Sequence, residues 1–310
     1  MREKIALWIS QKRSLPYRFR KSLIKRACPQ ILTDYPFEIN FYGIKYVGNT
    51  KDATDRLFFM FGGCDKYMLA FMRDYCLATN EKDFVFMDVG AHVGNHSLFM
   101  SKYAAKVHAF EPNQRVRETL NSHIYVNNIE NIKVHPVGLS NKDEKIPFYA
   151  SKDIQFSRAS FRKDHDARNE YLEDLRVRVG DEIIEEKEIA VVDLIKVDVE
   201  GYEREVLEGL QNTIKRSRPA VIVEISETTR KSFGSRDDFE SVFPEDYVFF
   251  QFSGVSREDE KYKVAPFDYD KHVSHLDVIA IPREKMIFVD SRKITDKVTK
   301  SRFVGVDNDR

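Results

Sequence analysis

Residues 84 to 113, FVFMDVGAHVGNHSLFMSKYAAKVHAFEPN, restrict the fold more than any other stretch. FVFMDV is a short apolar run closed by glycine, which reads as a buried strand. NHSLFMSKYA changes to helical spacing, and KVHAFE returns to a strand. Two strands joined this way are parallel, with the helix as crossover. The pattern continues downstream. QRVRETLNSHIYVN sets Val116, Leu120 and Ile124 on one helical face, and IKVHPVG is a third strand. VVDLIKVDV is a fourth strand, EREVLEGL a helix and PAVIVEIS a fifth strand. DYVFFQFSG and HLDVIAIP are expected as an antiparallel pair at one edge. The expected class is α/β, with a mostly parallel sheet covered by helices on both faces.

Upstream, Pro16, Pro29 and Pro36 divide the first 36 residues into short helices and turns. FEINFYGIKYVG alternates, with Phe37, Ile39 and Phe41 on one side and Glu38 and Asn40 on the other, so it reads as a hairpin. CDKYMLAFMRDYCLA brings Met68, Leu69, Met72, Tyr75 and Cys76 to helical spacing. Residues 139 to 190 are charged and irregular, with at most a short helix near ARNEYLEDL. Such a segment between core elements is more often functional than idle. The expected organisation has three parts. Residues 1–80 form a basic helical segment, hairpin and helix packed on the core. Residues 81–282 form the ligand-binding domain, with 139–190 as its variable segment, and 283–310 a polar tail.

Composition excludes several classes. Lys and Arg number 50, as do Asp and Glu. That balance argues against a nucleic-acid binder. Cys28, Cys64 and Cys76 are widely spaced and odd in number, so neither a disulfide framework nor a zinc site is expected. A reducing, cytoplasmic setting fits. No apolar run reaches the roughly 18 to 20 residues of a spanning helix. Residues 1–27 carry nine Lys or Arg against Glu3 alone. A solvated helix packed on the body is the preferred reading of this segment. Peripheral contact with an anionic membrane surface is the alternative.

In an open α/β sheet the ligand crevice lies beyond the carboxyl ends of the strands. Asp88, Gly90 and Gly94 fall there. The glycines are expected to let the backbone turn and approach a ligand, and the following helix end suits a carboxylate. Glu111 ends the second strand, 21 residues after Gly90, where an acid accepts hydrogen bonds from ribose hydroxyls. His92 stands where a dinucleotide loop has its middle glycine, and it crowds a pyrophosphate. An adenosine ligand without phosphate fits better. S-adenosylmethionine combines an adenosine with a sulfonium and an amino-acid tail. The bland reading is a tight strand-to-helix turn, which leaves Glu111 and Asp88 unexplained.

DLIKVDVEGYEREVLEGL carries a second cluster. Asp198 and Glu200 are two apart and share one side of a strand. Glu224 is expected on the neighbouring strand. Three acids on one rim need a ligand, a metal or basic partners. A hydroxyl attacking a methyl group must lose its proton, and Asp198, Glu200 and His92 are candidates to take it. Glu200, Glu224 and His275 are candidate substrate contacts. Mg²⁺ suits oxygen ligands, but acids at strand ends more often accept hydrogen bonds, so no metal is assigned. Capping of the next helix accounts for one acid, not three. His96 reads as a packing or surface residue, and Phe71, Tyr75 and Phe99 as core.

DVGAHVGNHS, FEPN, GLS, SRAS and LIKVDVEGYEREVLEG together resemble the FkbM-type methyltransferase family, over about residues 60 to 282. The resemblance implies a class I methyltransferase fold: a seven-stranded sheet with one antiparallel strand that binds S-adenosylmethionine. It implies methylation of hydroxyl oxygens, often on sugars of glycolipids, oligosaccharides or surface polysaccharides. By the same resemblance Gly90, Ala91, His92, Gly94 and Asn95 line the methionine end. Glu111 holds the ribose, Asn113 lies near the adenosine and Asp198 near the sulfonium or acceptor. RVRVGDEIIEE and the basic N-terminus depart from the family pattern, in regions expected to shape the acceptor site. The rival readings are a methyltransferase of a small secondary metabolite, a nicotinamide-dependent dehydrogenase and a non-catalytic adenosine-binding module.

Overall fold

The computed structural model describes residues 2–10, 12, 15–79, 82–151, 159–163, 167–255, 260–270 and 275–288. Helices α1 (Arg2–Ser10) and α2 (Tyr17–Ala27) come first, then a hairpin of β1 (Pro36–Phe41) and β2 (Ile44–Asn49). Phe37 and Phe41 are buried while Glu38 and Asn40 are exposed, as their alternation requires. Helix α3 (Ala53–Phe61) is not among the expected elements. Its signals were Asp52, which accepts from the Thr54 and Asp55 N–H groups, and Gly62, left-handed at φ +75°. Helix α4 (Lys66–Thr79) follows.

The α/β pattern then unfolds as β3 (Val85–Val89), α5 (Asn95–Met100), β4 (Lys106–Phe110), α6 (Gln114–Val126) and β5 (Ile132–His135). An excursion, β6 (Gly138–Ser140), β7 (Glu144–Ser151) and β8 (Asn169–Val179), leads into α7 (Gly180–Glu186). The chain returns through β9 (Leu194–Val197), α8 (Glu203–Gly209), α9 (Gln211–Ser217), β10 (Ala220–Ser226), α10 (Glu227–Phe233) and α11 (Arg236–Glu240). It closes with β11 (Tyr247–Phe252), β12 (Val264–Pro266) and β13 (His275–Pro282).

The central sheet has the order β12-β11-β13-β10-β9-β3-β4-β5. β5, β4, β3, β9 and β10 are mutually parallel. β13 runs antiparallel to both β10 and β11. Seven strands thus match the expected class I methyltransferase topology, and β12 adds an eighth at the edge. Three residues are too few to show alternation, and Pro266 is tolerated at an edge. The late pair is antiparallel as expected, with β12 rather than β11 as the outermost strand at that edge.

Period-two alternation divides the core between the sheet faces. Phe86, Leu194 and Ile222 pack with α3, α4 and the N-terminal helices. Met87, Ile195 and Val221 pack beneath α8 to α11. Phe71, Tyr75 and Phe99 lie in the first cluster, as read.

The segment expected to be irregular contains a three-stranded sheet, β6-β8-β7, and ARNEYLEDL is mostly strand rather than helix. Ser157 and Arg158 of the SRAS motif, and the tail beyond residue 288, lie outside the described residues.

Candidate functional site

Strand order reverses between β4 and β9 around β3, and that reversal opens the crevice. Gly90 ends β3 with φ +82°. A Cβ there would sit 1.9 Å from the Asp198 carbonyl oxygen. At Gly94, φ +96°, a Cβ would sit 2.4 Å from Leu120 Cδ1. Both positions combine the left-handed backbone expected of the turn with close packing, by the Asp198 backbone at Gly90 and the Leu120 side chain at Gly94.

A cavity of about 210 Å³ lies above these turns. Glu111 is 7 % exposed at the end of β4 and lines it. Its Oε2 accepts from the His92 N–H at 3.0 Å and its Oε1 from the Asn113 N–H at 2.9 Å. Burial pushes its carboxyl up to about 7, against the pull of those two N–H groups. Asn113 is buried and caps α6 through the Val116 N–H at 3.2 Å. His92 has a left-handed backbone, φ 50°, and burial lowers its pKa. Its buried Nε2 has no hydrogen-bond partner among the described residues.

The second cluster centres on a residue that sequence reasoning missed. Lys196 is 3 % exposed, and its Nζ donates to Asp198 Oδ2 at 2.8 Å. A lysine inside the apolar strand VVDLIKVDV, two before Asp198, was the signal: period two puts both on one face. Burial works to raise the Asp198 pKa, but the Lys196 charge and hydrogen bond outweigh it and hold it at about 2. Glu224 moves the other way, raised well above the carboxylate range by burial and by the charges of Asp198 and Glu200. Asp198, Glu200 and Glu224 offer oxygens within 4.8 Å of one another. Lys196 already supplies a cation there. His275 is 46 % exposed on the rim, with Nδ1 3.3 Å from Glu224 Oε1. Next to it Asp277 accepts from the Tyr67 hydroxyl at 2.5 Å, and burial pushes it to about 7.

Glu203, also unread, shapes this rim. It accepts from the Val199 and Gly201 N–H groups at 3.1 and 3.0 Å and from the Thr229 hydroxyl at 2.6 Å. Glu203 therefore fixes the 199–201 turn, leaving Asp198 and Glu200 for the cavity. Ser160 donates its hydroxyl to the Glu200 carbonyl at 2.5 Å, and Arg162 bonds Gly201 and Glu205. These contacts dock the excursion, whose Phe148, Ala159 and Phe161 form one wall.

Thr54, Leu57, Cys64 and Asp65 form the facing wall. Asn95 holds it: its amide donates to the Cys64 carbonyl and accepts from the Cys64 N–H, both at 3.1 Å. Asn95→Ala is expected to cost about 1–3 kcal/mol, because it strands two buried backbone groups. Urea unfolding checks this, and an unchanged midpoint would contradict it.

The structure thus brings Gly90, Ala91, His92, Asn95, Glu111, Asn113, Asp198, Glu200 and Glu224 to one cavity. His96, read as packing, also lines it. Asp88, Gly94 and His275 do not. Asp88 is fully buried beneath the turn and accepts from the Ser97 hydroxyl at 2.6 Å. Among the described residues, neither α7, which carries the departing GDEIIEE stretch, nor α1 and α2 line this cavity.

The Methyltransferase FkbM domain profile matches residues 88–251. The chain belongs to this family. It is 35 % identical over 151 residues to hexuronic acid methyltransferase AglP of Haloferax volcanii, covering 48 % of this chain and 59 % of AglP. It is 27 % identical over 172 residues to Methyltransferase 1 of Beauveria bassiana, covering 50 % and 69 %. The solved FkbM methyltransferase of Methylobacillus flagellatus is 15 % identical, with TM-score 0.43, covering 90 % of this chain and 59 % of that one. The chain therefore spans little more than half the length of AglP.

Proposed function

We propose that this protein transfers a methyl group from S-adenosylmethionine to a hydroxyl oxygen of a sugar. The charge of the cavity carries the reading. Asp65, Asp198 and Glu200 line it, with Glu111 and Glu224 as further carboxyls whose raised pKa values favour ionisation once a cation enters, and Lys196 is the only Lys or Arg among the described lining residues. A nicotinamide dinucleotide would bring a pyrophosphate into that field. S-adenosylmethionine brings a sulfonium and an ammonium, which the field attracts. Glu111 suits the ribose hydroxyls, and the unpaired His92 Nε2 offers a further polar contact.

When bound, S-adenosylmethionine supplies an electrophilic methyl group on a cationic sulfur. Asp198, kept ionised by Lys196, stabilises positive charge at the methionine end. Its depressed pKa makes it a poor base. Glu224 has a raised pKa and suits proton removal from the attacking hydroxyl once cationic charge enters the cluster. Glu200 lines the cavity beside Glu224 and suits hydrogen bonds to neighbouring sugar hydroxyls, while His275, on the rim outside the lining, suits only a part of the acceptor that extends past it. No metal is assigned. A reducing cytoplasmic setting fits the free cysteines.

The name of the Haloferax relative supports a sugar acceptor. The acidic lining favours a neutral sugar over a uronate, because a uronate carboxylate would meet Glu200 and the ionised Asp198. Incubation with methyl-labelled S-adenosylmethionine and paired methyl glucosides and glucuronides tests this. Label in a neutral glycoside, lost in Glu224→Gln, is expected. Label confined to the glucuronides, or to non-sugar hydroxyls, would contradict the acceptor assignment.

A further inference from the structure

Charges cancel over the whole chain, yet residues 1–33 hold nine Lys or Arg and one acid, Glu3. Helices α1 and α2 each bury an inner face through Ala6, Ile9 and Ile24. Arg20 is buried with them. Its Nε donates to the Leu15 carbonyl at 3.1 Å and its Nη1 to the Met60 carbonyl at 2.7 Å, which ties α2 to α3. Core packing therefore accounts for the inner side of both helices.

It does not account for the outer side. Ile5 and Trp8 on α1 and Phe19 on α2 are 46 %, 58 % and 54 % exposed. Lys12, Arg18, Lys21, Lys25 and Arg26 are exposed around them. Lys12 Nζ lies 4.6 Å from the centre of the Trp8 ring. Three large apolar side chains among five exposed cations match an interfacial helix, whose apolar side chains enter the acyl boundary while Lys and Arg meet lipid phosphates.

We propose that the outer face of α1 and α2 docks on an anionic phospholipid surface. Among the described residues no helix is long and apolar enough to cross a membrane, so the contact is peripheral. Its location has a consequence. α2 is bonded to α3, and α3 supplies Thr54 and Leu57 to the cavity wall. Docking would bring the α3 wall of the cavity toward the lipid surface.

Trp8 is the only tryptophan in the chain, so its emission reports the contact directly. The full chain is mixed with vesicles of phosphatidylcholine alone or with about 30 % phosphatidylglycerol. The expected result is a blue shift of Trp8 and about tenfold stronger co-sedimentation on the anionic vesicles, reversed by roughly 0.5 M salt. Lys21→Glu/Lys25→Glu/Arg26→Glu is expected to abolish binding, and Phe19→Ser to weaken it. Both variants should keep the wild-type thermal midpoint and S-adenosylhomocysteine affinity. Absence of co-sedimentation overturns the proposal. So does adsorption with unshifted Trp8 emission, or a preference for RNA over vesicles.

Discussion

Glu111→Ala is expected to weaken S-adenosylhomocysteine binding by about 100-fold or more. Two ribose hydroxyls donating to one carboxylate are charge-assisted bonds, each worth about 1.5–3 kcal/mol. The variant also removes the acceptor of the His92 and Asn113 N–H groups. A moderate fall in thermal midpoint should therefore accompany the loss, by a separate cause. The pH dependence separates the two effects. Burial raises the folded carboxyl to about 7, above its unfolded value. Without ligand, its contribution to stability is full below the unfolded pKa and is lost as pH rises through about 7. Ribose hydroxyls need the ionised carboxylate as acceptor. Affinity should therefore rise from pH 6 to pH 8, by up to about tenfold, and the variant should lose that dependence. Calorimetry at the two pH values checks both. A Glu111→Ala protein with wild-type affinity would remove Glu111 from the ribose role.

Lys196→Met is expected to cost roughly 3 kcal/mol of folding stability. Removing one partner of a buried pair leaves the other charge uncompensated, at about 3–5 kcal/mol. Asp198 retains 30 % side-chain exposure, which favours the lower figure. The sign with pH follows. The folded Asp198 pKa is depressed to about 2, so its stabilisation is present above the unfolded pKa and lost as pH falls through about 2. In the variant that stabilisation is gone at neutral pH, and the difference from wild type narrows in acid. Lys196→Met/Asp198→Leu should recover much of the loss, since an apolar pair removes the stranded charge. Urea unfolding of the three proteins is the measurement. Equal stability of all three would mean the pair carries no coupling.

The central strands were legible because the sheet buries both of their faces, and continuous apolar runs mark that burial. Glu111 was legible through spacing alone, since a strand, a helix and a strand leave little freedom in where an acid can fall. The excursion was not. From Glu170 to Asp174 every residue of β8 is exposed, so no alternation marks that half, although LRVRV after it alternates, with Leu175 and Val177 buried and Arg176 exposed. Backbone pairing with β7 holds that strand, and sequence carries little trace of backbone pairing. Lys196 is hidden among the acids around it, although an isolated lysine in an apolar strand needs a partner. Glu203 resembled an ordinary first-turn helix acid. Only the fold reveals that it clamps the turn presenting Asp198 and Glu200. The glycines were legible as a turn, while the atoms that crowd a Cβ there, the Asp198 carbonyl and the Leu120 side chain, come from elsewhere in the chain.

The most direct test of the account is calorimetric titration of the purified chain with S-adenosylhomocysteine, with NAD as control. The account predicts micromolar binding of the first and none of the second. Binding of NAD alone, or of neither, would contradict the assignment of the acidic cavity between β3, β4 and β9.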